Sequence, residues 1–293
     1  MTTTETPTIA LLGTGTMGLP IGQNLLEAGL PLRAWNRSAD KAEPLAAAGA
    51  TVTETPGDAV SGADIVITML FDADSVQEVM QQARGRFAPG TTWIQLSTVG
   101  LDGAEQLGRL AAELELAFVD SPVLGTKKPA EDGALVVLAS GPDEARATCQ
   151  PVFDAIGGKT LWLGAAGNGS KLKLVANSWL LAVVEGLAES LHLAARLGLD
   201  PSQLLAAVSG GALDAPYVQL KGKAMLDQDW TPAFALSGAA KDAGLIVQAA
   251  QQAGADMAVT EIALRHLRQA QQQGHGDKDL SAIFLAERSG SGA

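Results

Sequence analysis

The chain has 293 residues, 47% of them hydrophobic and 18% charged, with a formal net charge of −12. This is a globular composition, long enough to suggest two domains, and its acidic surplus repels phosphate backbones, which excludes general nucleic-acid binding but not a local basic pocket. One cysteine, Cys149, excludes an intrachain disulfide framework; with no basic cluster followed by an apolar run in residues 1–8 and no stretch approaching ~20 uninterrupted apolar residues, a cytoplasmic protein without signal peptide or membrane span is expected.

Residues 1–166 alternate short apolar, often β-branched runs with helical stretches. Strands are expected at Ile9–Leu12, Leu32–Trp35, Thr51–Val52, Ile65–Leu70, Trp93–Leu96, Phe118–Asp120, Leu135–Ala139 and Thr160–Leu163, with helices such as Gly18–Ala28, Ser75–Ala83 and Asp143–Ala155 between them. Runs such as Ile65-Val66-Ile67 lack polar alternation, as strands buried on both faces do. Strand-helix alternation of this kind predicts a doubly wound α/β domain.

The first strand runs into Gly13-Thr14-Gly15-Thr16-Met17-Gly18 and then an apolar helix. Gly13 permits the tight turn, Gly15 lets backbone approach a pyrophosphate, and Gly18 lets helix and strand pack closely, with phosphates on the helix's positive end. A lone GxGxxG is weak evidence, but here it follows a strand and opens a helix, the context of a Rossmann dinucleotide site. The end of the second strand carries Asn36-Arg37-Ser38 rather than the Asp or Glu that binds the ribose 2′-hydroxyl of NAD. Arg37 can pair bidentately with a 2′-phosphate, and Asn36 and Ser38 can donate further hydrogen bonds, so NADP(H) is the expected cofactor.

The segment Asp120 to Leu135 begins at a strand's carboxyl end, where open α/β sheets bind ligands; by itself it reads as a polar surface loop. Near Gly167 the pattern changes, and residues 167–293 read as all-helical. From Ser170 to about Leu197 only Gly186 interrupts a stripe of Leu172, Val175, Trp179, Val183, Leu187, Leu191 and Ala194, which predicts one long helix between the domains, capped at Gly198. Further helices are expected at Pro201–Val208, Tyr217–Leu226, Phe234–Ala253, Met257–Gln272 and Leu280–Ala286, followed by a disordered Ser/Gly-rich tail, Arg288–Ala293.

Lys173 and Asn177, four apart, share a face of the long helix and can point together into an interdomain cleft. There a lysine loses hydration, its pKa falls toward neutrality, and it can protonate a forming alkoxide as hydride arrives. Without context, two lysines near a helix start read as ordinary solvated charges. His192, His266 and His275 lie far apart, and no HExxH, CxxC or Gly-x-Ser-x-Gly occurs, so neither metal hydrolysis nor a serine elbow has support.

Taken together these residues resemble the β-hydroxyacid dehydrogenase family, which includes 3-hydroxyisobutyrate dehydrogenases, tartronate semialdehyde reductases and glyoxylate/succinic semialdehyde reductases. Gly13–Gly18 matches the family's GxGxMG, and Gly167–Asn177 matches its GxGxxxKxxxN, which implies that Lys173 is the catalytic lysine with Asn177 as its partner. Pro122–Leu135 resembles the substrate segment, with Lys127–Gly133 closest to the glyoxylate/succinic semialdehyde reductase branch. Ser97-Thr98 resembles a pair whose Thr contacts cofactor, and Lys241-Asp242 a pair facing the active site. The resemblance therefore implies a cofactor set of Leu12, Gly13, Thr14, Gly15, Thr16, Met17, Gly18, Asn36, Arg37, Ser38, Met69, Leu70, Thr98 and Lys241. The implied substrate set is Val123, Leu124, Gly125, Thr126 and Asp242. A homodimer or homotetramer is implied as well.

Leu124 departs from the pattern, because the family has there a serine that helps bind the substrate carboxylate. Losing one hydrogen bond to a charged group costs about 1.5–3 kcal/mol, roughly ten- to hundredfold in affinity, so a bulkier or less polar carbonyl compound becomes plausible. The expected activity is reversible NADPH reduction of a small aldehyde or keto acid to its hydroxyacid. Rival readings are an imine reductase, which Lys173 argues against, and a non-catalytic NADP-binding sensor or scaffold, which only Leu124 favours.

Overall fold

A computed structural model describes residues 6–286; the tail Arg288–Ala293 lies outside them. The chain divides into two compact units, one ending at Lys173 and the other beginning at Leu174.

The first unit contains strands β1 (Ile9–Leu12), β2 (Leu32–Trp35), β3 (Thr51–Val52), β4 (Ile65–Thr68), β5 (Thr92–Gln95), β6 (Ala117–Asp120), β7 (Val123–Leu124), β8 (Leu135–Ala139) and β9 (Gly157–Trp162). Its helices are α1 (Gly18–Glu27), α2 (Glu43–Ala47), α3 (Pro56–Val60), α4 (Ala73–Gln82), α5 (Gly100–Glu113), α6 (Lys127–Glu131) and α7 (Arg146–Ile156), together with the start of α8 (Asn168–Arg196). Six strands form a parallel sheet in the order β3-β2-β1-β4-β5-β6. A second sheet, β7-β8-β9, pairs β7 antiparallel and β9 parallel to β8. Successive side chains on a strand face opposite ways, and the core follows that rule. Ile9, Leu11, Ile65 and Ile67 join Ile21, Leu25 and Phe153 in one cluster. Ala10, Leu12 and Val66 join Val76, Met80 and Leu107 in another. Both faces of the sheet are therefore covered, which is why the strand sequences lack polar alternation.

Helix α5 and the stretch holding β7 and α6 are among the segments not expected as helices or strands. Helix α5 carries Gly100, Gly103 and Gly108, which lower helix propensity, yet a Cβ on Gly103 would lie 2.8 Å from that of Ala73, so close packing on α4 requires it. The segment read as a polar loop holds β7 and α6, and Asp120 and Ser121 within it are fully buried. Helix α6 has two i,i+4 ion pairs, Lys127–Glu131 and Lys128–Asp132, which support an isolated turn.

The second unit is helical, with the rest of α8, α9 (Ser202–Val208), α10 (Pro216–Asp227), α11 (Leu236–Ala253) and α12 (Ala258–Ala270). Helix α12 passes into a π-turn, Gln271–His275, and Leu280–Leu285 is a 3-10 rather than an α-helix. Small residues on α11, among them Ala239, Ala243 and Ala250, allow it to approach α12 closely. Buried polar pairs sit in this unit. His266 Nδ1 meets Glu185 Oε1 at 2.8 Å, and Lys221 Nζ donates to Asp279 Oδ1 at 2.6 Å. Among the described residues α8 is long and apolar enough to cross a membrane by length and composition alone, although Lys173, Asn177, Glu185 and Glu189 interrupt its apolar run. The core takes a stripe rotated from the expected one: Leu174, Leu181, Val184, Ala188 and Leu191 are buried at helical spacing, whereas Val175 and Trp179 of the expected stripe are exposed.

Candidate active site

Between β1 and α1 the backbone turns at Gly13 with φ +105° while its N–H donates to Trp35 O at 2.9 Å. A Cβ there would lie 2.3 Å from Met69 O, and one on Gly18 would lie 2.0 Å from Gly13 O, so both positions demand glycine. A Cβ on Gly15 would meet nothing within 4 Å, which leaves the loop open on that face. Thr14 N donates to Asn36 Oδ1 (3.0 Å), and Asn36 Nδ2 donates to Ser38 O (3.0 Å). Asn36 thus ties the glycine loop to the end of β2. Arg37 is exposed and, among the described residues, makes no ion pair. Met69 N donates to Leu12 O and Leu70 N to Ser97 Oγ, placing these half-buried residues at the carboxyl ends of β1 and β4. Thr98, also half-buried, follows β5.

A dinucleotide fits this arrangement. The Thr14 hydroxyl is buried without a hydrogen-bond partner in the protein. Helix α1 has no side-chain cap and no acidic residue in its first turn, so its orphan amides and positive end suit an anion. The open face at Gly15, next to Thr16 and Met17, admits close approach of phosphate.

In the same unit, α8 begins against the ends of β6 and β8. Lys173 Nζ donates to Val123 O at 2.8 Å. An ammonium carries three hydrogens, and this bond engages one of them. On β7 the side chains alternate, Val123 buried and Leu124 half-exposed. Gly125 follows at φ +126°, where a Cβ would clash with Leu135 and Pro129, and Thr126 N-terminates α6.

The second unit supplies a separate cluster. Buried Asn177 donates through Nδ2 to Asp242 Oδ2 at 2.7 Å, and Lys241 Nζ pairs with Asp242 Oδ1 at 3.0 Å. A carboxylate only accepts, so Asp242 fixes the amide of Asn177 with its oxygen turned away. Both Asp242 oxygens are engaged, so it orients its neighbours as much as it offers an acceptor.

Comparison with known proteins identifies the family. Residues 8–164 match the family model for the NAD-binding domain of 6-phosphogluconate dehydrogenase. Residues 167–286 match that for the NAD-binding region of NADP-dependent 3-hydroxyisobutyrate dehydrogenase. The chain belongs to the β-hydroxyacid dehydrogenase family. Glyoxylate/succinic semialdehyde reductase 2 of Arabidopsis thaliana is 32% identical over 96% of this chain and 79% of its own length. An uncharacterized oxidoreductase, YfjR, of Bacillus subtilis is 34% identical over 94% and 98%. A solved 3-hydroxyisobutyrate dehydrogenase of Mycobacterium tuberculosis, described with L-serine, superposes with TM-score 0.86 at 29% identity, covering 97% of this chain and 99% of that one.

As a β-hydroxyacid dehydrogenase the chain uses a nicotinamide cofactor and acts as an NAD(P)-dependent dehydrogenase or reductase. The remaining polar candidates do not enter this site. Burial pushes the Cys149 thiol up to about 12, which leaves it protonated. His192 stacks on Phe284 with ring centroids 4.1 Å apart. Among the described residues no group of three His, Cys, Asp or Glu side chains could hold a metal.

Proposed function

We propose that this dehydrogenase catalyses the reversible, NADPH-dependent reduction of a small aldehyde or keto acid, of the semialdehyde or glyoxylate kind, to the hydroxyacid. The observation that carries this reading is the Lys173 ammonium, held by the Val123 carbonyl at the start of α8 in the unit that also holds the glycine loop. The name of the Arabidopsis relative supports the substrate class.

NADPH, when bound, supplies the hydride. Lys173 gives a proton to the carbonyl oxygen as it becomes a hydroxyl, and takes one back in oxidation. The Val123 carbonyl restrains the ammonium so that its other hydrogens can reach that oxygen. Asn177, one turn along α8 and oriented by Asp242, offers its amide oxygen to the substrate or the ammonium. The backbone of Gly125 and the hydroxyl of Thr126 bind the acid end. Gly13, Gly15 and Gly18 cradle the pyrophosphate.

Arg37 sets the cofactor preference, because it stands exposed at the end of β2, where a carboxylate would repel a 2′-phosphate. Arg37→Ala is expected to weaken NADPH about 10- to 100-fold, the value of charge-assisted hydrogen bonds, and to change NADH binding little. Equal losses for both in a titration of cofactor fluorescence would remove the case for NADP.

Leu124 offers an apolar surface one residue from the carbonyl that holds Lys173. Leu124→Ser is expected to raise kcat/KM for glyoxylate about tenfold, one hydrogen bond to a carboxylate; a fall would show that the leucine itself recognises substrate. The test of the overall reading is NADPH consumption with glyoxylate, succinic semialdehyde and cyclic imines. Turnover of an aldehyde acid is expected. Turnover of imines alone would make it an imine reductase, and none at all with NADPH bound would make it a cofactor-binding protein without catalysis.

A further inference from the structure

Asp120, the last residue of β6, is fully buried, and none of the steps above uses it. Both of its oxygens accept from Ser170, and Oδ2 also accepts from the Ser140 hydroxyl at 3.5 Å. Oδ2 accepts from the Ser170 backbone N–H at 2.8 Å and Oδ1 from the Ser170 hydroxyl at 2.9 Å. Its backbone pairs in both directions with Ser140, after β8, at 2.9 and 2.8 Å. The Ser140 hydroxyl accepts from Gly169 N at 2.9 Å while donating to Asp120 O at 3.0 Å. The early amides of α8, which no carbonyl of the helix can reach, therefore find acceptors on the ends of two strands. The fit leaves no slack, because a Cβ on Gly169 would lie 2.2 Å from Leu138 O and 2.7 Å from Asp120 O.

The consequence lies three residues further along each segment. Val123 follows Asp120 by three, and Lys173 follows Ser170 by three. The two segments are joined at one end by the carboxylate and at the other by Lys173 Nζ on Val123 O. A buried carboxylate is a costly way to cap a helix. Burial pushes the Asp120 carboxyl above the usual range, against the hydrogen bonds from Ser170, Gln95 and Ser140 that favour its charged form. A Ser or Asn cap would satisfy one amide without burying a charge. What the carboxylate adds is two acceptors for one residue, which set both the axial position and the rotation of the helix's first turn.

We propose that Asp120 is a positioning residue for Lys173, clamping the start of α8 so that the ammonium is held in register with the Val123 carbonyl. This rests on Lys173 being the proton donor. The test uses the full chain with NADPH and whichever of glyoxylate and succinic semialdehyde turns over faster. Misplacement of a reacting group by a fraction of an ångström to an ångström costs up to about 100-fold. Asp120→Asn is expected to lower kcat about tenfold and Ser170→Ala about threefold, in proportion to the bonds lost. KM and NADPH affinity should stay within about twofold, because neither residue touches ligand. In a Lys173→Met background the same two substitutions should have no further effect on the residual rate, since a residue acting through Lys173 has nothing left to act on. Independently of turnover, amide hydrogen exchange in residues 168–173 of Asp120→Asn should quicken about tenfold while the β1 and β4 amides stay protected. If Asp120→Asn does not fold, Ser170→Ala carries the test alone. Further loss in the Lys173→Met background, or unchanged exchange, would overturn the positioning role alone. A Lys173→Met enzyme with normal turnover would instead overturn the reading of Lys173 on which it rests.

Discussion

Lys173→Ala is expected to lower turnover at least about 100-fold while leaving NADPH binding nearly unchanged, because a positioned general acid contributes about 10²–10⁴-fold. The split follows from the geometry. Lys173 Nζ is bonded to the backbone of Val123, and no cofactor contact is assigned to it. Losing it removes the proton that converts the carbonyl oxygen to a hydroxyl and leaves the pyrophosphate cradle intact. KM and kcat measured by absorbance of NADPH, with cofactor affinity from a separate titration, decide the matter. Normal turnover would remove Lys173 from the chemistry, and a parallel loss of NADPH binding would make it a binding residue.

The second large effect concerns stability. Lys221→Met is expected to destabilise the protein by about 3–5 kcal/mol, the cost of leaving a buried charge without its partner. Asp279 is buried, accepts from Lys221 Nζ at 2.6 Å, and also accepts from the backbone amides of Ala233, Phe234 and Ser281. It therefore fastens the segment before α11 to the final 3-10 turn, with the Lys221 cation supplying the neutralising charge. Burial pushes its carboxyl up, but the hydrogen bond and charge of Lys221 and the Ser281 amide outweigh that and hold it below the usual carboxylate range. A carboxyl depressed on folding stabilises the native state above its unfolded pKa and loses that contribution as pH falls through the folded value. Wild-type stability should accordingly decline below about pH 4, and Asp279→Asn, already weakened, should decline less over that range. Urea denaturation from pH 3 to 7 measures both. An unaltered midpoint for Lys221→Met would show the pair to be dispensable. The double variant Lys221→Met/Asp279→Asn should recover part of the loss, since no unpaired charge remains.

The parts of the site written in local pattern were readable from the sequence. The glycine loop has a spacing set by backbone geometry, and the structure gives Gly13 and Gly18 the close contacts that such spacing exists to permit. Continuous apolar runs gave the parallel strands, because burial on both faces leaves no polar alternation to hide them. The long helix followed from the helical spacing of its apolar residues, although Val175 and Trp179 of the expected stripe are exposed. Contacts between distant segments were another matter. Asn177 and Asp242 are 65 positions apart, and only the family resemblance brought them together. Asp120 and Ser170 are 50 positions apart, and an isolated Asp at a strand end has no periodicity to betray that it caps a remote helix. Helix α6 did leave a signal in its paired i,i+4 charges, masked by Pro129 and by the polarity of the segment. Asn36 shows a subtler shift. Its amide bridges Thr14 and Ser38, so it shapes the loop as well as facing the place assigned to a 2′-phosphate.

The most direct test of the proton-donor claim is a crystal structure with NADP⁺ and a hydroxyacid product. The product hydroxyl is expected within about 2.6–3.2 Å of Lys173 Nζ, the reach of a general acid, with its carbon facing the nicotinamide. A product hydroxyl bonded to some other proton donor, with Lys173 still on Val123 and out of reach, would contradict it.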